Sequence, residues 1–187
     1  MTDGRKRYEW MIASDIHGSA LYCRMLLDAF EKEKADALLL LGDHLYHGPR
    51  NPLPEGYAPM ETAVMLNGMN DRVCGLRGNC EAEIDQTLLS FPASAEYMLL
   101  ENKGQMIFAT HGHVWNEAHL PPLRRGDVLL HGHTHLPACE VREGYTYWNP
   151  GSVSMPKNGT PRSYMTLEDG LAVWHELGGA EFMRCEL

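Results

Sequence analysis

Residues 35–42, ADALLLLG, are an almost unbroken apolar run of strand length, closed by a glycine. Such a run has no polar face to give to solvent, so it must be covered on both sides, as a central parallel strand is. YEWMIAS (8–14) reads as a second buried strand. Between the two, apolar residues recur at helical spacing from Ser19 to about Lys34: Leu21, Met25, Leu26, Ala29 and Phe30, ahead of the charged EKEK. Residues 60–70 read as a helix, 72–77 as a strand and 81–89 as a short helix opened by acids. The first half is therefore β-α-β-α-β, the order that builds a parallel sheet with helices on its faces. The second half changes character. EYMLLE, QMIFAT, DVLLHG, ACEVRE, YTYWNPG, RSYMTLED and LAVWHEL are short strands at close spacing, and a helix fits only around 115–124. An α/β fold of sandwich type is expected. With 187 residues and no linker, repeat or low-complexity tract, the chain is expected to be one domain, 1–187.

Charge and cysteine usage exclude several classes. The formal net charge of −9 repels nucleic-acid polymers at long range, leaving room for a small anion drawn to a local positive site. The five cysteines, at 23, 74, 80, 139 and 185, are odd in number, widely spaced and without a C-x-x-C pair. Neither a zinc ribbon nor a disulfide framework follows, and reduced thiols are expected. The N-terminus starts basic, but its apolar run is broken by Asp15, too early for a signal segment, and no run reaches membrane-span length. The expectation is a cytoplasmic protein with no membrane partner.

The informative residues close the strands. Each apolar run ends in a small residue and a polar cluster: ASDIHG (13–18), LGDHLYHG (41–48), RGNC (77–80), ATHGH (109–113) and LHGHTH (130–135). Ligands of open α/β sheets bind outside the carboxyl ends of the strands. Five segments thus offer Asp15, His17, Asp43, Asn79, His111, His133 and His135 to one edge. Singly, each has an ordinary counterpart: a helix cap, a Gly-Asp or Gly-Asn turn, a solvated His loop. All five in order, each at a strand end, point to a shared site. Carboxylates, imidazoles and an amide oxygen suit Mn²⁺, Fe or Zn²⁺. Seven groups exceed one tetrahedral ion, whereas two ions sharing a carboxylate would use them, an arrangement known for in-line phosphoryl chemistry. The long loop HGPRNPLPEGYAP (47–59), with four prolines, is also of a length that points to function.

Asp15-x-His17, Gly42-Asp43, Gly78-Asn79, His111 after Ala-Thr, and Gly132-His133-x-His135 resemble the calcineurin-like metallophosphoesterases. Together with the proline-rich loop, RGNCEAEIDQ and NPGSVSMPKNG, they are most similar to the YfcE-like phosphodiesterase branch, over essentially the whole chain. The resemblance implies a sandwich of two mixed sheets with helices outside and the metals at the strand ends. It implies one ion held by Asp15, His17, Asp43 and His135, and a second by Asp43, Asn79, His111 and His133. Asp43 would bridge, and Asp43, Asn79 and His111 would form the catalytic group. Mn²⁺ is the implied cofactor, with Zn²⁺, Fe or Co²⁺ sharing the same ligand preferences. The implied reaction is hydrolysis of a small phosphodiester by in-line attack of a metal-bridging hydroxide, in a dimer or tetramer. A phosphomonoesterase or nucleotidase is the alternative within enzymes. A binding scaffold like the retromer subunit of this fold, with a vestigial site, would show damaged ligands, and all seven are intact here.

Other residues take secondary expectations. Arg50 and His47 could contact the phosphate or leaving group, with surface and loop-packing roles as the ordinary readings. Arg77 could act likewise or pair at the strand end. Asn149 and Ser152 should order a turn near the site. His113 could support a ligand, His119 and His131 are structural, and His44 should point elsewhere. Cys80 stands where the wider superfamily commonly keeps a histidine thought to protonate the leaving group. A thiol is a poor proton donor near neutrality, so Cys80 is expected to be neither ligand nor nucleophile, though it borders the substrate. Glu81, where the branch has Asp, is expected to serve a helix N-terminus.

Overall fold

The run at 35–42 becomes the middle of a parallel trio. In the computed structural model, which describes residues 8–187, β1 (Trp10–Ala13) pairs with β2 (Ala37–Leu40), and β2 with β3 (Val73–Gly75), all parallel. The basic start of the chain, 1–7, lies outside the described residues. Helix α1 (Ala20–Glu33) links β1 to β2, and α2 (Pro59–Asn67) precedes β3, followed by the single-turn α3 (Asp85–Leu88). Ser19 caps α1 by accepting the Tyr22 N–H at 3.3 Å, and Lys34 ends it in the left-handed region at φ 62°.

The second half supplies eight strands: β4 (Tyr97–Asn102), β5 (Gln105–Thr110), β6 (Asp127–His131), β7 (Ala138–Val141), β8 (Tyr145–Asn149), β9 (Ser163–Glu168), β10 (Leu171–Glu176) and β11 (Glu181–Glu186). They complete a six-stranded sheet, β11-β10-β9-β1-β2-β3, and build a five-stranded one, β4-β5-β6-β8-β7. Both are mixed: β9 runs antiparallel to β1, while β5, β6 and β8 are parallel between antiparallel edges. This is the expected two-sheet α/β sandwich.

Alternation along the strands divides the core. Ile12, Leu39, Ile107, Ala109, Val128, Leu130, Trp148 and Trp174 fill the space between the sheets. Met11, Ala13, Leu38 and Leu40 face the other way, against Tyr22, Leu26 and Phe30 of α1 and Ala63 and Leu66 of α2. The Trp148 and Trp174 rings meet edge to face at 5.9 Å, and the Trp174 indole N–H donates to the Asn149 carbonyl at 2.6 Å, tying this core to a strand end.

Four local expectations are corrected. No helix forms at 115–124: the Asn116 side chain accepts the N–H groups of Ala118 and His119, closing a turn, and Pro121 and Pro122 follow. The helix at 81–89 shrinks to Asp85–Leu88. The buried stripe of α1 is Tyr22, Cys23, Leu26, Ala29 and Phe30, with Leu21 and Met25 outside it on the surface. Strand β11 was not anticipated, because its half-exposed edge position leaves no clear apolar alternation. Among the described residues no helix is long and apolar enough to cross a membrane.

Candidate metal centre

The five polar clusters do converge. Asp15 and His17 follow β1, Asp43 follows β2, Asn79 follows β3, His111 follows β5, and His133 and His135 follow β6. The backbone is bent sharply to bring them together. Of the nine non-glycine residues with positive φ among the described residues, five are Asp15 (59°), His17 (50°), Asp43 (54°), His133 (62°) and His135 (63°). Such conformations cost of order 1–3 kcal/mol each and persist where the surroundings over-determine them, typically at functional sites. Gly42 has the same demand in stronger form: at φ 114°, a Cβ there would lie 2.7 Å from His111 Nδ1 and from the Gly78 backbone.

Three imidazoles are oriented alike. Nδ1 of His17 faces the Tyr46 carbonyl at 2.8 Å, that of His111 the Leu41 carbonyl at 2.9 Å, and that of His135 the Met155 carbonyl at 2.5 Å. A carbonyl only accepts, so each Nδ1 carries the hydrogen and each Nε2 is the atom offered to the centre. The Nε2 atoms of His17 and His135 lie 3.3 Å apart, and buried Asp15 Oδ1 lies 3.4 Å from the first and 3.2 Å from the second. That carboxylate oxygen accepts no well-directed hydrogen bond. Two ring lone pairs and an anionic oxygen converging on one point make a cation cradle, and the donor atoms fall within 4.8 Å of one another.

Asp43 stands between this cradle and a second one. Its Oδ2 is 3.6 Å from His17 Nε2 and 3.5 Å from His111 Nε2, and Asn79 Oδ1 is 3.1 Å from the same His111 atom. Asp15, Asp43 and His111 form a further donor group within 4.8 Å. His133 borders the centre: its ring meets His111 edge to face at 5.0 Å and its backbone N–H donates to Asp15 Oδ2 at 3.0 Å.

The electrostatics follow from carboxylates and imidazoles sharing a buried space. Burial pushes the Asp15 carboxyl up, but the imidazoles of His135 and His17 overcome this and hold it well below the usual carboxylate range. Burial works against the His111 imidazolium too, yet Asp43 and Asp15 draw the group up to about 9. His133, desolvated and beside His111, is pushed down to about 4 and stays neutral.

Glu81 is the residue that sequence reading misassigned. It serves no helix terminus but folds back under the centre. Oε2 accepts the backbone N–H groups of Asp43 and Gly78, while Oε1 accepts the His44 N–H at 2.6 Å and lies 3.1 Å from His44 Nδ1. Burial raises its carboxyl, and His44 more than reverses that, leaving it below its ordinary value. The strand-end turns at 42–44 and 78–80 are thus pinned to one buried anion. His44 points away from the centre, as expected.

On the far side, Ser152 and Ser154 both donate to the Asp15 carbonyl, at 3.0 and 3.1 Å. The Asn149 amide donates to Gly132 O, Thr134 Oγ1 and Tyr147 Oη, each at 2.9 Å, and so holds the Gly-His-Thr-His turn. His131 packs on Tyr147 at 4.7 Å, and His119 stacks on Trp115 at 4.5 Å.

A cavity of about 590 Å³ opens over these groups, with Arg50, Asn51 and Lys157 at its rim. His47, by contrast, packs between Tyr46 and Tyr57, at 4.7 and 5.3 Å, and does not line the cavity. Arg77 is exposed and outside it as well. Cys80 does line it. Its N–H donates to Asp43 Oδ1 at 2.9 Å, and its Sγ lies within 4.8 Å of donor atoms of His17 and Asp43. Burial, then Asp43 and Glu81 beside it, push the thiol up, so it keeps its proton at neutral pH.

Comparison with known proteins agrees with this geometry. The sequence model of the calcineurin-like phosphoesterase superfamily domain matches residues 9–169. The chain is 48% identical over 159 residues to "Phosphodiesterase YfcE" of Escherichia coli K12, covering 85% of this chain and 86% of that one. It is 27% identical over 171 residues to "Probable metallophosphoesterase YsnB" of Bacillus subtilis 168, covering 87% of this chain and 86% of the relative. The solved structure of YfcE, a phosphoesterase from E. coli, superposes with a TM-score of 0.91 at 43% identity, over 95% of this chain and 98% of that one. Zinc-bound Vps29 from Entamoeba histolytica, at 20% identity and a TM-score of 0.60 over 95% and 98% of the two chains, shares the fold.

Proposed function

The chain belongs to the calcineurin-like phosphoesterase superfamily, and on that basis we propose that it is a metal-dependent phosphodiesterase acting on a small phosphodiester. The observation that carries the reading is Asp43 Oδ2, lying 3.5–3.6 Å from ring nitrogens of His111 and His17, which belong to two different ligand sets. One ion is assigned to Asp15, His17, Asp43 and His135, and a second to Asp43, Asn79, His111 and His133. The whole chain, 1–187, is taken as one catalytic domain.

Bound there, a pair of divalent ions supplies an activated water nucleophile and neutralises charge on the phosphoryl oxygens. The protein's part is positioning. Carbonyls of Leu41, Tyr46 and Met155 fix the imidazole tautomers, and Glu81 holds the Asp43 turn rigid from below. Asp43, Asn79 and His111 make up the proposed catalytic group. Cys80 borders the substrate. It stands where a proton donor to the leaving group would be useful, and a thiol, with an ordinary pKa of about 8.5, is a weak one near neutrality. Esters with good leaving groups are therefore the favoured substrates.

Mn²⁺ is the proposed metal, on the oxygen- and imidazole-rich donor set, which also accepts Zn²⁺, Fe or Co²⁺. Five free cysteines fit a reducing cytoplasm. Exposed Tyr97 and Leu99 on the edge strand β4 offer an apolar surface that a homodimer or tetramer would cover. The net charge of −9 favours a small substrate over a nucleic-acid polymer.

The test is turnover of aryl phosphodiesters and matched monoesters with and without Mn²⁺, with Asp43→Asn as control. Metal-dependent hydrolysis favouring the diester and lost in Asp43→Asn is expected. A fully active Asp43→Asn protein refutes the shared-carboxylate centre, and preference for the monoester favours the nucleotidase reading.

A further inference from the structure

Resting on the phosphodiesterase reading, we infer that the substrate carries a second anionic group beside the reacting diester, a carboxylate or a phosphate, and that Arg50 and Lys157 bind it.

The two cations come from segments far apart in sequence and line the same cavity. Each segment is locked to a candidate ligand histidine by main-chain atoms. Arg50 lies four residues after Tyr46, whose carbonyl holds His17 Nδ1 at 2.8 Å. Lys157 lies two residues after Met155, whose carbonyl holds His135 Nδ1 at 2.5 Å, and the Lys157 N–H itself donates to the His135 carbonyl at 3.3 Å. The turns that carry them are closed locally as well. Asn51 Nδ2 donates to the His47 carbonyl at 2.8 Å around Arg50, and Thr160 Oγ1 donates to the Lys157 carbonyl at 2.8 Å. Both side chains therefore hang from backbone that is fixed relative to the centre, as recognition groups require.

Their charge is not used elsewhere in the fold. Arg72, Lys103, Arg142 and Arg184 have carboxylate partners within 4 Å. Among the described residues no ion pair involves Arg50 or Lys157, and Asp43 is the one carboxylate lining their cavity. The centre does not need them for charge balance. Two divalent ions with Asp15, Asp43 and the nucleophile come to about +1, which already matches a diester anion. Arg50 and Lys157 add two positive charges at the rim of a 590 Å³ space, far more than a bare phosphate fills. A simple diester leaves that charge unanswered, whereas a diester with a second anion answers it.

The experiment compares 4-nitrophenyl diesters that share a leaving group and differ in the other ester arm: propyl, 2-carboxyethyl and 2-phosphonoethyl. With Mn²⁺, at least one anionic ester should exceed the propyl ester in kcat/KM by about tenfold, mainly through KM, the size expected for charge-assisted contacts at a part-exposed rim. In the Arg50→Gln/Lys157→Gln double variant that ratio should fall to near one. Calorimetry with 2-carboxyethylphosphonate, ethane-1,2-diphosphonate and propylphosphonate on the Mn²⁺-loaded protein should give at least one of the two anionic ligands a preference of about tenfold over propylphosphonate, lost in the variant. Ratios near one in the unaltered enzyme, or a variant that slows all the esters equally, overturn the inference. If none of the esters is hydrolysed, the phosphodiesterase reading falls, and the calorimetric ratio still decides the anion site.

Discussion

Glu81 Oε2 accepts the backbone N–H of Asp43 at 3.0 Å, although the two residues are 38 apart in the chain. The contact fixes a residue that must stay in the left-handed region and present one carboxylate oxygen to two imidazoles. Strain at Asp43 is thus held by an anion outside the donor set. The same carboxylate takes N–H groups from Gly78 and His44, so the turns bearing Asp43 and Asn79 move as a unit or not at all.

Glu81→Gln tests this directly. An amide is isosteric but places N–H groups where the carboxylate accepts from Asp43, Gly78 or His44. Leaving buried donors facing donors should cost about 2–4 kcal/mol. Denaturant unfolding of the metal-free protein should show that loss, and Mn²⁺ titration should show weakened binding. Unchanged stability together with unchanged metal affinity would refute the role.

Cys80→Ala should leave metal content intact and retain most turnover of a 4-nitrophenyl diester. A thiol is a weak proton donor near neutrality, and a 4-nitrophenolate leaving group needs little protonation. Metal analysis alongside steady-state kinetics checks both halves. Abolished turnover with full metal loading would make Cys80 an essential group.

Asn149→Asp should be among the most damaging isosteric changes outside the donor set. The Asn149 amide nitrogen serves three acceptors, and a carboxylate there would face the Gly132 carbonyl at 2.9 Å. A loss of about 2–4 kcal/mol is expected at neutral pH. Because repulsion requires the ionised form, it raises the pKa of the new carboxyl above the ordinary value of about 4, and the deficit should shrink as pH falls from 7 through that raised pKa, which unfolding curves at pH 7 and pH 5 will show.

The donor residues were readable because their side-chain chemistry is written in the sequence and each follows a strand. Asp15, His17, Asp43 and Asn79 need nothing but strand ends to be brought together. The partners of the histidines were not readable, since they are the carbonyls of Tyr46, Leu41 and Met155, a group every residue possesses. Glu81 was misread for a related reason: a local rule assigns an acid near a helix start to that helix, whereas here contacts with residues 37 and 38 positions away decide its direction. Lys157 gave no signal because its relation to the cavity runs through Met155 and His135. Strand β11 escaped notice because an exposed edge carries little apolar pattern.

Metal uptake should release protons, and the responsible group is His111. In the metal-free protein, burial disfavours its imidazolium, but Asp43 and Asp15 outweigh that and raise it to about 9. A ligand imidazole must give up its Nε2 proton, so below that value each ion entering the second cradle displaces one. Apparent Mn²⁺ affinity should therefore climb by about tenfold per pH unit from pH 7 toward 9 and then level off, with His17, also raised, adding to the slope. Calorimetry in buffers of different ionisation enthalpy will count the protons released. Affinity that is flat between pH 7 and 9, with no proton release, would mean that His111 is already neutral before the metal arrives.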